Sequence, residues 1–180
     1  MKVKEITLVA LLTSLTAMGA FISIPMVPVP ITMQSIFVLL SGILLGPILG
    51  ALSQILYLLI GLMGVPIFSG FSGGINHMFK PSFGFILGFI LASFVSGKVF
   101  QYLEEKSIKN LFISSSLGSL IMYMIGLPYM YYILNVVMGK HFTLYQILYA
   151  GFLIFLPGDL LKIGIVSLVG RRLLHALERI

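Results

Sequence analysis

The stretch "LLSGILLGPILGALSQILYLLIGLMGVPIFSG", residues 39–70, is one of several long apolar runs in this chain. None alternates with a period of two, which excludes a transmembrane β-barrel. The chain has 180 residues, of which 59% are hydrophobic and 9% charged, and its mean hydropathy is +1.13. A soluble domain this short cannot hide so much apolar surface. Lipid is therefore the expected solvent. Backbone polar groups must then satisfy one another within helices, and each full crossing takes about 20 apolar residues. The expected fold class is an all-α integral membrane protein with about six transmembrane helices. Residues 1–180 are expected to form one transmembrane domain.

Cysteine is absent, which removes disulfides, thiol nucleophiles and thiolate metal sites. The net charge is +6. In a membrane chain this excess reflects the positive-inside rule, and no basic-aromatic nucleic-acid motif accompanies it. Residues 1–24 open with Lys2 and Lys4 and continue apolar, and "AMG" (17–19) loosely resembles a cleavage site. The chain that follows is embedded in any case, so a retained first helix is expected.

Proline and glycine divide the chain. Helix is expected over about 5–24, 33–45, 48–62, 82–103, 111–138 and 144–175. The first should stop at "IPMVPVPIT", where Pro25, Pro28 and Pro30 forbid helix. These prolines predict a stiff extended segment that acts as a linker or as a lid. The second and third helices are short for a full span. Such interrupted segments border polar sites at membrane depth. The Gly-rich stretch 61–81 predicts a structured loop, and 104–110 a charged connector. The fifth helix should bend at Pro128 and the sixth at Pro157-Gly158.

With the N-terminus in the cytoplasm and six crossings, eight of the eleven basic residues fall inside. They are Lys2, Lys4, Lys98, Lys106, Lys109, Arg171, Arg172 and Arg179. Lys80 and Lys140 fall outside, and Lys162 lies in the membrane. The Pro-rich and Gly-rich loops then share the outer face with Asp159.

Asp159 and Lys162, in "IFLPGDLLKIGIV" (154–166), carry the chemistry. Three residues apart, they share one helix face. Each alone would cost about 2.5–3.5 kcal/mol to insert, so both should face the protein interior. A mutual ion pair pinning the helix is one explanation; a polar ligand site at membrane depth is the one favoured here. Gly70, Gly73 and Gly74 permit close backbone approach to a ligand, and Asn76 offers a donor and an acceptor. No Walker sequence occurs, so uphill movement would need a partner or an ion gradient. Ala10 and Ser14 form a small-xxx-small pair, suited to packing within the chain or to docking another membrane subunit. His77, His141 and His175 are scattered, and no metal site is expected.

The stretches "IPMVPVPITMQ" (24–34), 39–70, "GGINHMFKPSFGFILGF" (73–89) and "PGDLLK" (157–162) together resemble the BioY family. Its members are the biotin-binding membrane components (S components) of energy-coupling-factor (ECF) transporters. The resemblance implies one substrate-binding domain over residues 1–180, with a six-helix S-component fold in the plasma membrane and both termini cytoplasmic. It implies no enzymatic activity and no cofactor. The partners it implies are biotin, a transmembrane coupling protein and two ATP-binding-cassette ATPases. It also implies that Asn76, Asp159 and Lys162 contact biotin and that Ala10 and Ser14 dock the coupling protein. Asp159 would accept from the ureido N–H groups and Lys162 would donate to the ureido carbonyl. Phe68, Phe85 and Tyr57 would wall the thioether ring beside Gly74, and the carboxylate would point toward the lid, with Lys80 a candidate partner.

The chain departs from the family at Ser14, where alanine is preferred, and in one segment. Where the family reads Gly-Pro-Thr-Gly-Gly-Tyr, this chain reads "KPSFGF" (80–85), which loses a hydroxyl and enlarges the start of the fourth helix. Three alternatives make different predictions. An S component for another vitamin would be separated by a ligand panel. A lipid-processing enzyme meets a poverty of catalytic groups. A non-transporting scaffold predicts no saturable ligand and tolerance of Asp159→Asn.

Overall fold

The computed structural model describes residues 2–177, so Arg179 lies outside the described residues. Helix α1, Val3–Phe21, begins where the Glu5 carboxylate accepts the Lys2 backbone N–H at 2.8 Å, which satisfies one free donor of the first turn. It ends before the prolines. There the chain forms a small antiparallel hairpin, β1 (Ser23–Ile24) with β2 (Ile31–Thr32), in register Ser23↔Thr32 and Ile24↔Ile31. Extended backbone was expected here, but not strand pairing. The pairing comes from the turn that returns residue 31 to residue 24, a geometry that proline content alone does not specify.

Helices α2 (Gln34–Leu45) and α3 (Pro47–Leu62) follow, separated by Gly46 at φ 81° with Pro47 opening α3. Proline suits a first helical turn because its missing N–H forgoes no bond there. Both helices are shorter than the four spans long and apolar enough to cross a bilayer, 3–21, 83–103, 108–137 and 144–176. The loop after α3 is ordered. Phe68 and Ser72 pair through two backbone bonds of 2.9 and 3.3 Å, and Ile75–Phe79 forms a 3-10 turn. The Tyr129 hydroxyl donates to the Met78 carbonyl at 2.5 Å, which ties this loop to α5.

Helix α4 (Phe83–Leu103) packs against α2, α3 and α5. Helix α5 (Ile108–Tyr132) runs through Pro128 into a π-helical turn, Ile133–Val137. The expected last helix is divided. Helix α6 (Leu144–Leu148) runs into a π-helical turn, Tyr149–Leu153, and α7 (Leu156–Leu177) starts one residue before Pro157. The interruption thus precedes the proline instead of falling at it, because a first turn tolerates proline without losing a helical bond. Helix α7 packs on α5 and α2, and α1 on α2 and α3.

Two apolar clusters fill the bundle. One, beside the hairpin and the Gly-rich loop, holds Tyr57, Phe68, Phe83, Phe89 and Met130. The other, toward the chain termini, holds Leu12, Leu39, Leu111, Val166 and Leu174.

Candidate functional site

Asp159 lies in the first turn of α7 and Lys162 one turn on. Both are about 95% buried, and Lys162 Nζ lies 2.9 Å from Asp159 Oδ1. The Tyr123 hydroxyl, from α5, donates to Asp159 Oδ2. Each carboxylate oxygen therefore has one protein partner and retains lone-pair capacity for another donor. The Lys162 ammonium has two further N–H groups to offer.

These three residues form one wall of a cleft. The hairpin side supplies Val29, Pro30 and Thr32, α2 supplies Gln34 and Ser35, and α4 supplies Phe85, Ile86 and Phe89; Met122 and Phe155 complete the apolar lining. The cleft is narrow, with about 520 Å³ of space free of protein atoms when its open mouth is included. Ser35 Oγ is buried and has no hydrogen-bond partner. Phe85 and Phe152 meet the Tyr123 ring edge-on, at centroid distances of 5.9 and 4.9 Å, and hold it in place. A polar chain runs behind the cleft. Thr32 Oγ1 donates to Gln34 Oε1 at 3.0 Å, Gln34 Nε2 to the Tyr57 hydroxyl at 2.8 Å, and Tyr57 to the Ile67 carbonyl at 3.0 Å.

The residues expected in the site are distributed unevenly. Asp159, Lys162 and Phe85 line the cleft. Tyr57 does not line it. It stands behind Gln34, fully buried, and fixes that side chain. Phe68 is also fully buried and fills the space that Gly61 leaves, packing edge-on to Tyr57 at 5.5 Å. Gly74 serves the turn. It sits at φ 88° and its N–H reaches the Gly61 carbonyl at 2.7 Å. Asn76 is exposed on the 3-10 turn and lines no part of the cleft, because the adjacent His77 takes the inward position. Ala10 and Ser14 are both exposed on α1, and Ser14 Oγ donates to the Ala10 carbonyl at 2.9 Å. They do not pack inside this chain. Thr32, Gln34, Ser35 and Tyr123 also line the cleft and were not singled out from the sequence. Tyr123 is a lone hydroxyl in the apolar stretch 120–128 of α5.

A second hollow opens at the hairpin end. It is lined by Ser23, Pro25, Pro28, His77 and Lys80, and it shares Pro30, Ser69 and Ser82 with the cleft. Burial, with the Lys80 ammonium second, pulls His77 down from 6.5 to about 4, so its ring is neutral at neutral pH.

A short helical membrane bundle with a buried ion pair on the wall of a hairpin-capped cleft has the build of a membrane-embedded substrate-binding component. The same fold occurs in the crystal structure of the S-component for biotin from an ECF-type ABC transporter. The TM-score is 0.83 at 28% identity, over 95% of this chain and 90% of that one. The BioY family model matches residues 1–179. "Probable biotin transporter BioY" of Pyrococcus horikoshii is 39% identical over 173 residues, 96% of this chain and 98% of that protein. "Biotin transporter BioY" of Thermotoga maritima is 34% identical over 171 residues, 94% and 95% of the two chains. The chain belongs to the BioY family.

Proposed function

We propose that this chain binds biotin as the substrate-specific membrane subunit of an ECF-type importer, and is not an enzyme. The observation that carries the proposal is the Asp159–Lys162 pair, buried yet on the wall of a cleft, with Tyr123 orienting the carboxylate. A ureido ring presents N–H donors and a carbonyl acceptor side by side. Asp159 accepts from the first and Lys162 donates to the second, so one ligand group engages both charges without separating them. Gln34 and Ser35 supply further polar contacts, and Phe85, Phe89 and Phe155 enclose the thioether ring. Asn76 joins the site only if the 3-10 turn moves inward on binding.

In this proposal the hairpin end faces the exterior of the plasma membrane and both termini face the cytoplasm, which follows the charge distribution. The hairpin is the lid. Ala10 and Ser14 dock a transmembrane coupling protein; their exposure on α1 supports that role, since small residues permit close helix approach. Two ATP-binding-cassette ATPases supply the energy, and their cycle tips the subunit in the membrane so that the site opens inward. The chain itself uses no cofactor.

Calorimetry with detergent-purified protein tests the assignment, with wild type beside Asp159→Ala. Stoichiometric biotin binding that disappears in the variant is expected. A folded wild type that fails to bind biotin would overturn the ligand, and a vitamin panel would follow.

A further inference from the structure

The cleft and the second hollow at the hairpin end are two parts of one path. Pro30, Ser69 and Ser82 line both, so a ligand whose head lies against Asp159 has its tail directed past these residues into the hollow. The two parts differ in charge. The cleft carries a balanced pair, Asp159 with Lys162. Among the described residues, the hollow's lining carries one cation, Lys80, and no carboxylate. Lys80 Nζ donates to Ser72 Oγ at 3.3 Å, which draws the ammonium toward the hollow instead of leaving it extended into solvent. His77, buried beside it, has an Nε2 atom without a partner. Its Nδ1 lies 3.2 Å from Ser72 Oγ. The Ser72 hydroxyl donates to the Ser69 carbonyl at 2.9 Å, so its oxygen is left to accept from Lys80 Nζ and from His77 Nδ1–H. Lys80 thus presents an ammonium on this rim, with no carboxylate in the described lining to neutralise it.

We propose that Lys80, held by Ser72, is a carboxylate subsite that makes this chain select the free acid of its ligand over uncharged esters and amides. The proposal rests on the biotin assignment above and deepens it. A carboxylate held by an ammonium gains a charge-assisted contact that an ester cannot make. At a partly exposed rim this corresponds to about a tenfold difference in affinity. Lys80 is a specificity determinant, and the head-group contacts at Asp159 are independent of it.

The test is calorimetric titration of the full chain in detergent with biotin and with biotin methyl ester, in wild type, Lys80→Gln and Lys80→Arg. Wild type is expected to bind biotin about tenfold more tightly than the ester. Lys80→Gln should lower biotin affinity to the ester's level and leave ester affinity unchanged, and Lys80→Arg should restore the preference. Unchanged ester binding also reports that the variant is folded. A biotin-to-ester ratio in Lys80→Gln equal to that of wild type would overturn the subsite while the biotin assignment stands. A folded wild type that binds neither compound would overturn the biotin assignment, and the subsite with it.

Discussion

Two buried polar regions lie in this bundle, and they are built differently. One is the Asp159–Lys162–Tyr123 group between α5 and α7. The other is a seam of small polar residues where α1, α2, α3 and α4 meet. At its centre Gln54 Nε2 donates to Ser53 Oγ at 3.0 Å and Ser41 Oγ at 3.1 Å. Ser41 and Ser93 hydroxyls are 2.8 Å apart, and Thr13 Oγ1 reaches the Ser53 carbonyl at 2.9 Å. Glycines run along the seam, and a Cβ on Gly42 or Gly97 would overlap backbone atoms of the facing segment. None of these side chains lines the cleft. The seam uses uncharged groups bonded to one another and to helix carbonyls, with Gln54 Oε1 left without a partner, and its small residues allow near-contact of backbones. The ion pair uses full charges and keeps capacity directed at a cavity. Burial of polarity in lipid is thus not one signal. Internally bonded polarity holds helices together, and polarity that faces a cleft is available to a ligand.

Five experiments can break or sharpen this contrast. The largest effect is expected from Asp159→Ala, which strands the Lys162 charge. Biotin binding should vanish and stability should fall by about 3–5 kcal/mol. The double variant Asp159→Leu with Lys162→Met should recover most of that stability in thermal unfolding, yet still not bind. Recovery of binding as well would show that the pair is only structural. Next is Gly42→Val in the seam. The added side chain meets the Ser93 carbonyl and the Ser96 hydroxyl, and overpacking against backbone should cost about 3 kcal/mol, seen as loss of a monodisperse peak in size-exclusion chromatography.

Tyr123→Phe removes one donor to the carboxylate. Biotin affinity should drop about tenfold, the equivalent of about 1.5 kcal/mol for a bond to a charged group. An affinity equal to wild type would remove Tyr123 from the site. Gln54→Leu should do the reverse, lowering the unfolding midpoint by the equivalent of about 1 kcal/mol with unchanged affinity. An affinity loss there would merge the two regions into one.

A separate test concerns His77, which lies outside both. Its folded value of about 4 is below the unfolded 6.5. The unfolded chain therefore binds the proton more readily, and stability rises with pH across that window. The contribution is complete above about pH 6.5 and is lost as pH falls toward 4. Melting curves of wild type and His77→Gln should separate near neutrality and converge toward pH 4. Parallel curves would show that the ring is not held neutral.

Much of this contrast was legible before folding, though unevenly. Asp159 and Lys162 stood out because two charges in an apolar run have few places to go, and spacing of three fixes them on one face. The helical breaks at Pro25, Gly46-Pro47 and the Gly-rich loop were legible because proline and glycine act on their own backbone. Tyr123 was not. It lies 36 residues from Asp159 and reaches it only because α5 packs on α7. Tyr57 and Phe68 were expected to wall the ligand; both are fully buried and do not line the cleft. Aromatic character marks a residue for burial but does not say which side of a wall it takes. Asn76 does not line the cleft for a related reason: the 3-10 turn puts His77 inward and its neighbour outward.

The sequence by itself determined the solvent, the helical class, the punctuation of the helices and the ion pair on one face, since these follow from hydropathy and from interactions within about one turn of chain. The tertiary structure alone decided which polar groups bond to one another and which face a cavity, that Gln34 and Tyr123 line the cleft, and that the small pair on α1 is left uncovered. Those outcomes depend on contacts between helices distant in the chain, and the position of one helix against another is fixed only when all of them are packed.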